Sequence, residues 1–355
     1  MNRRLLTYKT FKANTYIIFL FLSLPSIAIS KSSTIESKFQ DTKLLKCINQ
    51  KLEGKTFSEK NLETIDRLNC KGKKIASIAG LDLLKDLTAL DLSDNNIKDI
   101  GTLSNLKKLE QLSLANNKVT DISALKELKF LYELWLNKNS ISDIAALKDL
   151  NKLSTLVVEE NDIKDLKPLA KLANLEKLWL TSNKIEEAKS LEELKKLNLL
   201  TLGDNLISKL PDFDNMADLS ALELSNNKLQ DIAPLKKLKK LKALSLDNNE
   251  IEEVRPLGEL LLMERLSIKN NNIKSNLNTL IALPNLTHLF IQNNKITTLN
   301  VSTLAAQKGT KLQKRKVYLS GNCIQEFSSK ELETQIKLEG LGKKRQKGCQ
   351  KQEKI

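Results

Sequence analysis

An eleven-residue stretch, Leu87-Thr-Ala-Leu-Asp-Leu-Ser-Asp-Asn95-Asn-Ile97, decides the fold, because its leucines and its asparagine recur at fixed positions. The pattern L-x-x-L-x-L-x-x-N-x-I restarts at Leu109 and then at every twenty-second residue as far as Met263. A 23-residue step leads to Leu286, and a degenerate unit precedes the series at Ile65. Self-similarity at such a period predicts a solenoid in which each unit contacts only its neighbours.

The L-x-L part of each unit predicts a short β-strand whose leucines point into the core, and successive strands should stack in parallel at about 4.8 Å. The strand is followed by a turn, where a buried side-chain amide can satisfy backbone groups that lack partners. We therefore expect a structural role for the asparagine column. Its members are Asn95, Asn117, Asn139, Asn161, Asn183, Asn205, Asn227, Asn249, Asn271, Asn294 and Asn322.

The second half of each unit, such as residues 97–106, has apolar residues three apart. That spacing fits a short 3₁₀ or helical return on the convex side. Pro168, Pro234 and Pro256 share one position of this return, where the start of a turn tolerates a missing N–H. The pattern is that of leucine-rich repeats, and the predicted fold class is an α/β solenoid, a curved array with parallel concave strands.

Both ends of a solenoid expose an apolar face and need caps. Residues 31–64 predict a helical N-terminal cap, and the repeats follow over residues 65–311. Residues 312–342 are expected to hold the last repeat and a closing helix as the C-terminal cap. The tail 343–355 is basic and nearly devoid of apolar residues, which predicts disorder. The apolar positions of the closing helix are Phe327, Leu332, Ile336, Leu338 and Leu341.

Residues 1–30 have the features of a secretory signal peptide. A basic segment precedes the apolar run 16–24, and Ala28 and Ser30 are small residues at the −3 and −1 positions of a cleavage site. We expect cleavage after Ser30 and a secreted protein that is extracellular, on the cell surface or periplasmic. The alternative is an uncleaved anchor. A second apolar stretch of about 20 uncharged residues is absent from the sequence, so no stable membrane span is predicted after cleavage.

The formal net charge of +15 is concentrated outside the repeats, in the leader and in the tail 343–355. Lysine and glutamate are interspersed along the repeats, as on any solvated surface, so nucleic acid is not an expected partner. Binding of an anionic cell envelope through the basic tail is an open alternative.

Four cysteines lie near the two ends of the chain: Cys47 and Cys70, then Cys323 and Cys349. More than ten strand spacings, on the order of 50 Å, separate Cys70 from Cys323. A disulfide needs Cα atoms within about 7 Å. The pairs Cys47–Cys70 and Cys323–Cys349 are therefore predicted, and they favour an oxidising compartment.

The composition offers little for catalysis. His288 is the only histidine, so a nucleophilic triad or a metal cluster with several histidines has no residues to use. Among only 11 glycines no phosphate-binding loop is present. We expect a binding protein rather than an enzyme, with no cofactor and no metal.

Both tryptophans, Trp135 and Trp179, fall in the column between the strand leucines, with Val157 between them. An exposed row of this kind is typical of a binding hot spot. A protein is the predicted partner, and a glycan is the alternative partner. A purely structural role, in which the aromatic side chains only stiffen the sheet, is a further alternative. The oligomeric state is open. The predicted rim is Tyr132, Glu133, Lys138, Thr155, Glu159, Glu160, Lys177 and Thr181, and a second spot is His288, Phe290 and Tyr318.

The cap segments 54–58 and 74–81 resemble the helical cap of bacterial internalins, and repeats such as Asp231-Ile-Ala-Pro-Leu235 are similar to internalin repeats. The resemblance covers roughly residues 40–310 and implies an adhesion or interaction role outside the cell. The wall-anchoring signal Leu-Pro-x-Thr-Gly is missing, so covalent surface attachment is not expected. Intracellular phosphatase regulators share the repeat class and are the alternative that this resemblance leaves open.

Overall fold

The computed structural model describes residues 35–300, 315–324, 326–328 and 336–339. Within these ranges the main element is one parallel sheet of 13 strands in the order β1 to β11, β13 and β15, while β12 pairs with β14 in a second, two-stranded sheet. The solenoid with parallel strands is confirmed. The strands are β1 Arg67–Asn69, β2 Ala89–Asp91, β3 Gln111–Ser113, β4 Glu133–Trp135, β5 Thr155–Val157, β6 Lys177–Trp179, β7 Leu199–Thr201, β8 Ala221–Glu223, β9 Ala243–Ser245, β10 Arg265–Ser267, β11 His288–Phe290, β12 Thr298–Asn300, β13 Arg315–Tyr318, β14 Glu326–Ser328 and β15 Ile336–Glu339.

The convex side is built from short 3₁₀ segments, as the three-residue apolar spacing predicts. Pro168, Pro234 and Pro256 each lie at the start of one of them. The 23-residue unit has a short α-helix there instead, α3 Leu277–Ile281. The 3₁₀ segments are Leu81–Leu83, Gly101–Asn105, Ser123–Glu127, Ala145–Leu147, Lys167–Leu169, Lys189–Leu191, Ala233–Lys237 and Arg255–Glu259.

Carboxylates fix the start of most convex turns. In one unit the backbone N–H of Gly101 donates to Asp99 Oδ1 over 2.8 Å, and in others the N–H of Ala145 donates to Asp143 and that of Ala233 to Asp231, also over 2.8 Å. An Asp side chain that accepts from the N–H two residues ahead stabilises a turn locally. Such carboxylates also occur at Asp121, Asp165 and Glu253.

The N-terminal cap is helical, as predicted, with α1 Thr42–Leu52 and α2 Glu59–Leu62. Asp41 begins α1, since its Oδ1 accepts the N–H groups of Lys43 and Leu44, and its Oδ2 accepts the N–H of Ala76 over 2.7 Å. One carboxylate thus ties the cap to the first unit. The predicted disulfide Cys47–Cys70 is present, with a Cα–Cα distance of 5.9 Å.

The second predicted disulfide has only one cysteine in the described part of the chain. Cys323 is disulfide-bonded, and Cys349 lies outside the described residues. The pairing Cys323–Cys349 therefore stays a prediction. The leader 1–30 and the tail 343–355 also lie outside the described residues.

The buried asparagine column connects successive units. Asn183 Nδ2 donates to the carbonyls of Val158 and Leu180, both over 3.0 Å, and its Oδ1 accepts the N–H of Ile163 over 3.0 Å. Two of these three backbone groups belong to the preceding unit. The same arrangement recurs from Asn95 to Asn294, so the structural role is confirmed.

A second column flanks the first. It consists of the residue before each buried asparagine, and each of these residues has a left-handed backbone conformation. Asn248 and Asn270 both have φ of 54°. Asparagine tolerates this region better than most residues. The amide of Asn248 donates to Asn226 over 2.6 Å, and that of Asn293 donates to Asn270 over 2.7 Å. This exposed ladder explains the Asn-Asn doublets of the later repeats.

The predicted C-terminal closing helix is wrong in the described part of residues 312–342, which holds β13, β14 and β15 instead. Ile336-Lys-Leu338-Glu alternates apolar and polar residues with the period of a strand. Its register places Leu338 beside Val317 of β13. The parallel sheet thus continues beyond the repeats proper.

A buried arginine joins β13 to the last regular turn. Arg315 is 2% exposed, and its guanidinium donates to the carbonyl groups of Ile281 and Leu283 at the end of α3. Burial lowers the pKa of Arg315. The last carbonyls of a helix lack partners within it, so a cation there satisfies them.

We expect Asn183→Ala to lower the free energy of unfolding by about 3 kcal/mol, because three backbone groups lose their partner in the interior. The measurement is urea denaturation followed by circular dichroism. Asn174→Ala is the matched control, since this amide also bonds the preceding and following units, through Asn151 O and Lys196 Nζ, but at the exposed surface. Equal stability losses for the two variants would contradict a structural role specific to the buried column.

Candidate functional site

The predicted tryptophan row is continuous in the sheet. Trp135 of β4 stands beside Val157 of β5, which stands beside Trp179 of β6. Val157 is 9% exposed, and both tryptophans are half-buried. The row therefore covers strands β4 to β6 of the concave face with apolar surface that is only partly open to solvent.

Polar side chains around the row are already engaged with each other. Lys138 lies 3.5 Å from Glu160, and Gln111 donates to Glu133 over 2.6 Å. Thr181 donates to Thr201 over 2.8 Å, and Thr201 contacts Glu159 at 3.4 Å. This network holds the rim in place, which reduces the side-chain entropy that a partner would have to remove.

The remaining predicted rim residues surround the row less tightly. Thr155 lies between Glu133 and Lys177 in the neighbouring concave column. Lys177 is exposed, whereas Tyr132 is half-buried just before β4. The structure thus brings the rim residues together on the same few strands.

The second aromatic spot is a stack. The rings of Phe290 and Tyr318 are 4.6 Å apart and nearly parallel, and His288 lies 6.1 Å from Phe290. Partial burial is the main cause that lowers the pKa of His288, and the positive charges of Arg265 and Lys316 lower it further. Stacking of this kind stabilises cross-strand pairs, which is the alternative role considered for the aromatic residues. Four strands separate this stack from Trp179, so the two spots do not form one site.

A polar groove adjoins the row and was not anticipated from the sequence. It has a volume of about 950 Å³ and lies between α1 and the strands β1 to β4. Trp135 lines one end and Lys51 of the cap lines the other, with Asp91 and Asp94 between them. The cap helix closes one end of this groove, and its position beside β1 is not encoded in the repeat pattern.

A smaller depression of about 400 Å³ separates the two aromatic spots, because Ala221, Ala243 and Ser245 are short. Glu223 lies in it and accepts the N–H of Ser225 over 2.8 Å. Its Oε2 is buried with no hydrogen-bond partner in the described structure, and it lies where a Cβ on Gly203 would be. Burial raises the pKa of Glu223, and the charge of Asp204 adds to this.

The described residues hold no group of three or more His, Cys, Asp or Glu that could bind a metal ion. His288 has Thr287 Oγ1 3.0 Å from its Nδ1. Within the same residues no helix is long and apolar enough to cross a membrane.

Comparisons with known proteins agree with this architecture. The family model described as Leucine Rich repeats (2 copies) matches residues 85–127 and 219–259. The internalin InlF of Listeria monocytogenes is 29% identical with a TM-score of 0.72, covering 87% of this chain and 98% of that one. Internalin C2 of the same organism is 27% identical with a TM-score of 0.54, covering 66% and 96%. A leucine-rich-repeat protein of Leptospira interrogans is 26% identical with a TM-score of 0.59, covering 72% and 70%. No curated protein sequence matches the chain.

The repeat model and the parallel sheet define a leucine-rich-repeat protein. Among solved structures the chain is similar to internalins, and the likeness to InlF extends over nearly the whole of that structure. The resemblance of its cap segments and repeats to those of internalins agrees with this result.

We expect Glu223→Gln to raise the free energy of unfolding at pH 7 by about 1 kcal/mol, because it removes a buried charge with an unpartnered oxygen. The pKa of Glu223 is raised in the folded state, so the wild type gains stability as the pH falls through that pKa. The difference between the two proteins should therefore shrink towards pH 4 in urea denaturation. A gain that is the same at both pH values would contradict this explanation.

Proposed function

We propose that this chain is an exported binding protein that recognises a protein partner on its concave face, centred on Trp135, Val157 and Trp179. The observation that carries the proposal is the placement of both tryptophans of the chain in one short row of adjacent strands. Tryptophan is enriched among residues that dominate binding energy, particularly inside a polar rim.

A protein partner suits this face better than a glycan for two reasons. The row continues into a groove of about 950 Å³ lined by side chains of both charges, which favours an extended and electrostatically mixed partner surface. The rim carboxylates Glu133, Glu159 and Glu160 already accept from, or contact, neighbouring side chains. They are therefore less free to accept hydrogen bonds from sugar hydroxyls.

Export is supported by the leader sequence and by the disulfide chemistry. Cys47–Cys70 joins the cap to the first strand, and Cys323 is also oxidised. Disulfides persist in oxidising compartments and are rare in the cytosol. The similar structures of bacterial internalins are consistent with a role outside the cell.

We expect Trp135→Ala and Trp179→Ala each to weaken partner binding by about 2 kcal/mol, roughly thirtyfold in Kd, without unfolding the chain. A partner is first isolated from extracellular proteins with the wild-type chain as bait, and affinities are then measured by biolayer interferometry. Phe130→Ala is the matched control, because it removes an aromatic ring that is 50% exposed away from the concave face. Wild-type affinity in both tryptophan variants would disprove the site assignment.

Export makes a separate prediction about the mature chain. Mass spectrometry of protein from its native host, alkylated without reduction, should show a chain that begins at Lys31 and carries no alkylated thiol. A chain that begins at Met1 with four alkylated thiols would refute export and would favour the intracellular phosphatase regulator instead.

A further inference from the structure

The strands of the main sheet are parallel, so they all begin at one lateral edge of the solenoid. The two residues before the first apolar residue of each unit, from Lys85-Asp86 to Pro284-Asn285, line this edge, which we call the strand-start edge. Contacts between successive units show that these residues form a column: Lys108 lies 2.5 Å from Asp86, and Lys240 lies 2.6 Å from Asp218.

The strand-start edge is strongly basic. Its twenty positions hold nine lysines and two aspartates, although lysine and glutamate are mixed along the sequence of the repeats. Lys85, Lys107 and Lys129 are exposed and form no ion pair with any described residue. The 22-residue period places the same position of every unit on the same edge, so a charge bias at one position becomes a stripe.

One set of carboxylates lies beyond the other end of the strands. Asp99, Asp121 and Asp143 follow the asparagine turn, beyond the other end of the strands, where they accept backbone N–H groups at the convex turns. These three carboxylates accept hydrogen bonds from the backbone and lie away from the lysines of the strand-start edge. Three of the nine lysines on the strand-start edge are paired, Lys108 with Asp86, Lys239 with Glu259 and Lys240 with Asp218. The other six form no ion pair with any described residue.

Exposed apolar side chains interrupt this basic stripe. Phe130 is 50% exposed, Leu261 57% and Leu262 42%, and all three lie on the strand-start edge. Only four large apolar side chains are exposed in the described part of the chain, and the fourth is Leu206. Lys152 lies over the Phe130 ring at 4.1 Å from its centroid. Lysines interleaved with large apolar side chains are the composition of surfaces that bind anionic membranes.

We propose that the strand-start edge docks this protein on the surface of an anionic lipid bilayer. The lateral edge presents the same two positions of every unit side by side, so its lysines and apolar side chains form one line. The stripe is roughly 45 Å long, and Phe130 and Leu261 are roughly 30 Å apart, at about 4.8 Å per unit. A planar surface contacts both apolar points together.

The apolar residues decide between a membrane and a soluble polyanion. A hydrophilic polymer of phosphates or sulfates would pair with the lysines but offers nothing to Phe130, Leu261 or Leu262. A bilayer interface accepts apolar side chains just below its anionic headgroups. Docking by this edge leaves the concave face, with Trp135 and Trp179, open to its partner.

The test uses the full chain and vesicles of 30% phosphatidylglycerol and 70% phosphatidylcholine, compared with pure phosphatidylcholine, in a sedimentation assay. The wild type should bind only the anionic vesicles. Lys85→Glu with Lys107→Glu and Lys129→Glu should weaken binding by about a hundredfold or more, because three contacts with the anionic surface become repulsive. The same vesicles should bind Phe130→Ser several times less well, while its dependence on salt stays that of the wild type.

The matched control is Lys98→Glu with Lys118→Glu and Lys164→Glu, which makes the same change in net charge at exposed lysines that lie after the strands. It should bind within about threefold of the wild type, because charges facing away from the surface are screened over a Debye length of about 8–10 Å. Trp135→Ala should bind like the wild type, which separates this proposal from the one about the concave face. Equal losses in the two triple variants would overturn the proposal.

A footprint on the wild type keeps the test independent of the folding of the variants. Lysine acetylation with and without anionic vesicles, read by mass spectrometry, should show protection of Lys107 and Lys129 and none of Lys98 and Lys118. Absence of that difference would overturn the proposal. So would a wild type that ignores vesicles and binds polyphosphate through the same lysines, since its partner would then be a soluble polyanion.

Discussion

The buried asparagine amide is the interaction on which every unit depends. Its side chain supplies partners to backbone groups that the tight turn after each strand would otherwise leave unpaired in the interior. Because each amide also bonds the preceding unit, as Asn183 bonds Val158 and Ile163, it fixes how successive units stack. This contact therefore also sets the alignment of the concave columns and of the lateral edges.

The scaffold could be predicted from the sequence because a 22-residue period converts position in the repeat directly into position on the surface. That rule is sufficient to place Trp135, Val157 and Trp179 in one row. It fails at the C-terminal end, where the repeat stops and Ile336 and Leu338 continue the sheet as β15 rather than forming a helix. The local alternation of apolar residues indicates a strand there, whereas the general need for a cap favoured a helix.

Other features depend on neighbours that the sequence does not bring together. The buried oxygen of Glu223 owes its position to Gly203, one unit away. The large groove depends on α1, which adds Gln50 and Lys51 to a surface lined by β1 to β4. The basic strand-start edge was not predicted from the sequence, for a different reason. Its lysines are mixed with acids along the chain, and only grouping residues by their position in the repeat reveals the separation. Composition along a repeat protein is thus a poor guide to its surface charge.

The 23-residue unit shows how such an array tolerates change. The additional residue is accommodated on the convex side with α3, while Asn294 still accepts from Ile273 and donates to Ile268, and Ser267 still pairs with Phe290. Length variation behind the sheet is therefore decoupled from the order of residues in front of it. A lineage of such proteins can gain or lose residues on the convex side, or recombine whole units, and keep a working arrangement of ligand-contacting positions throughout.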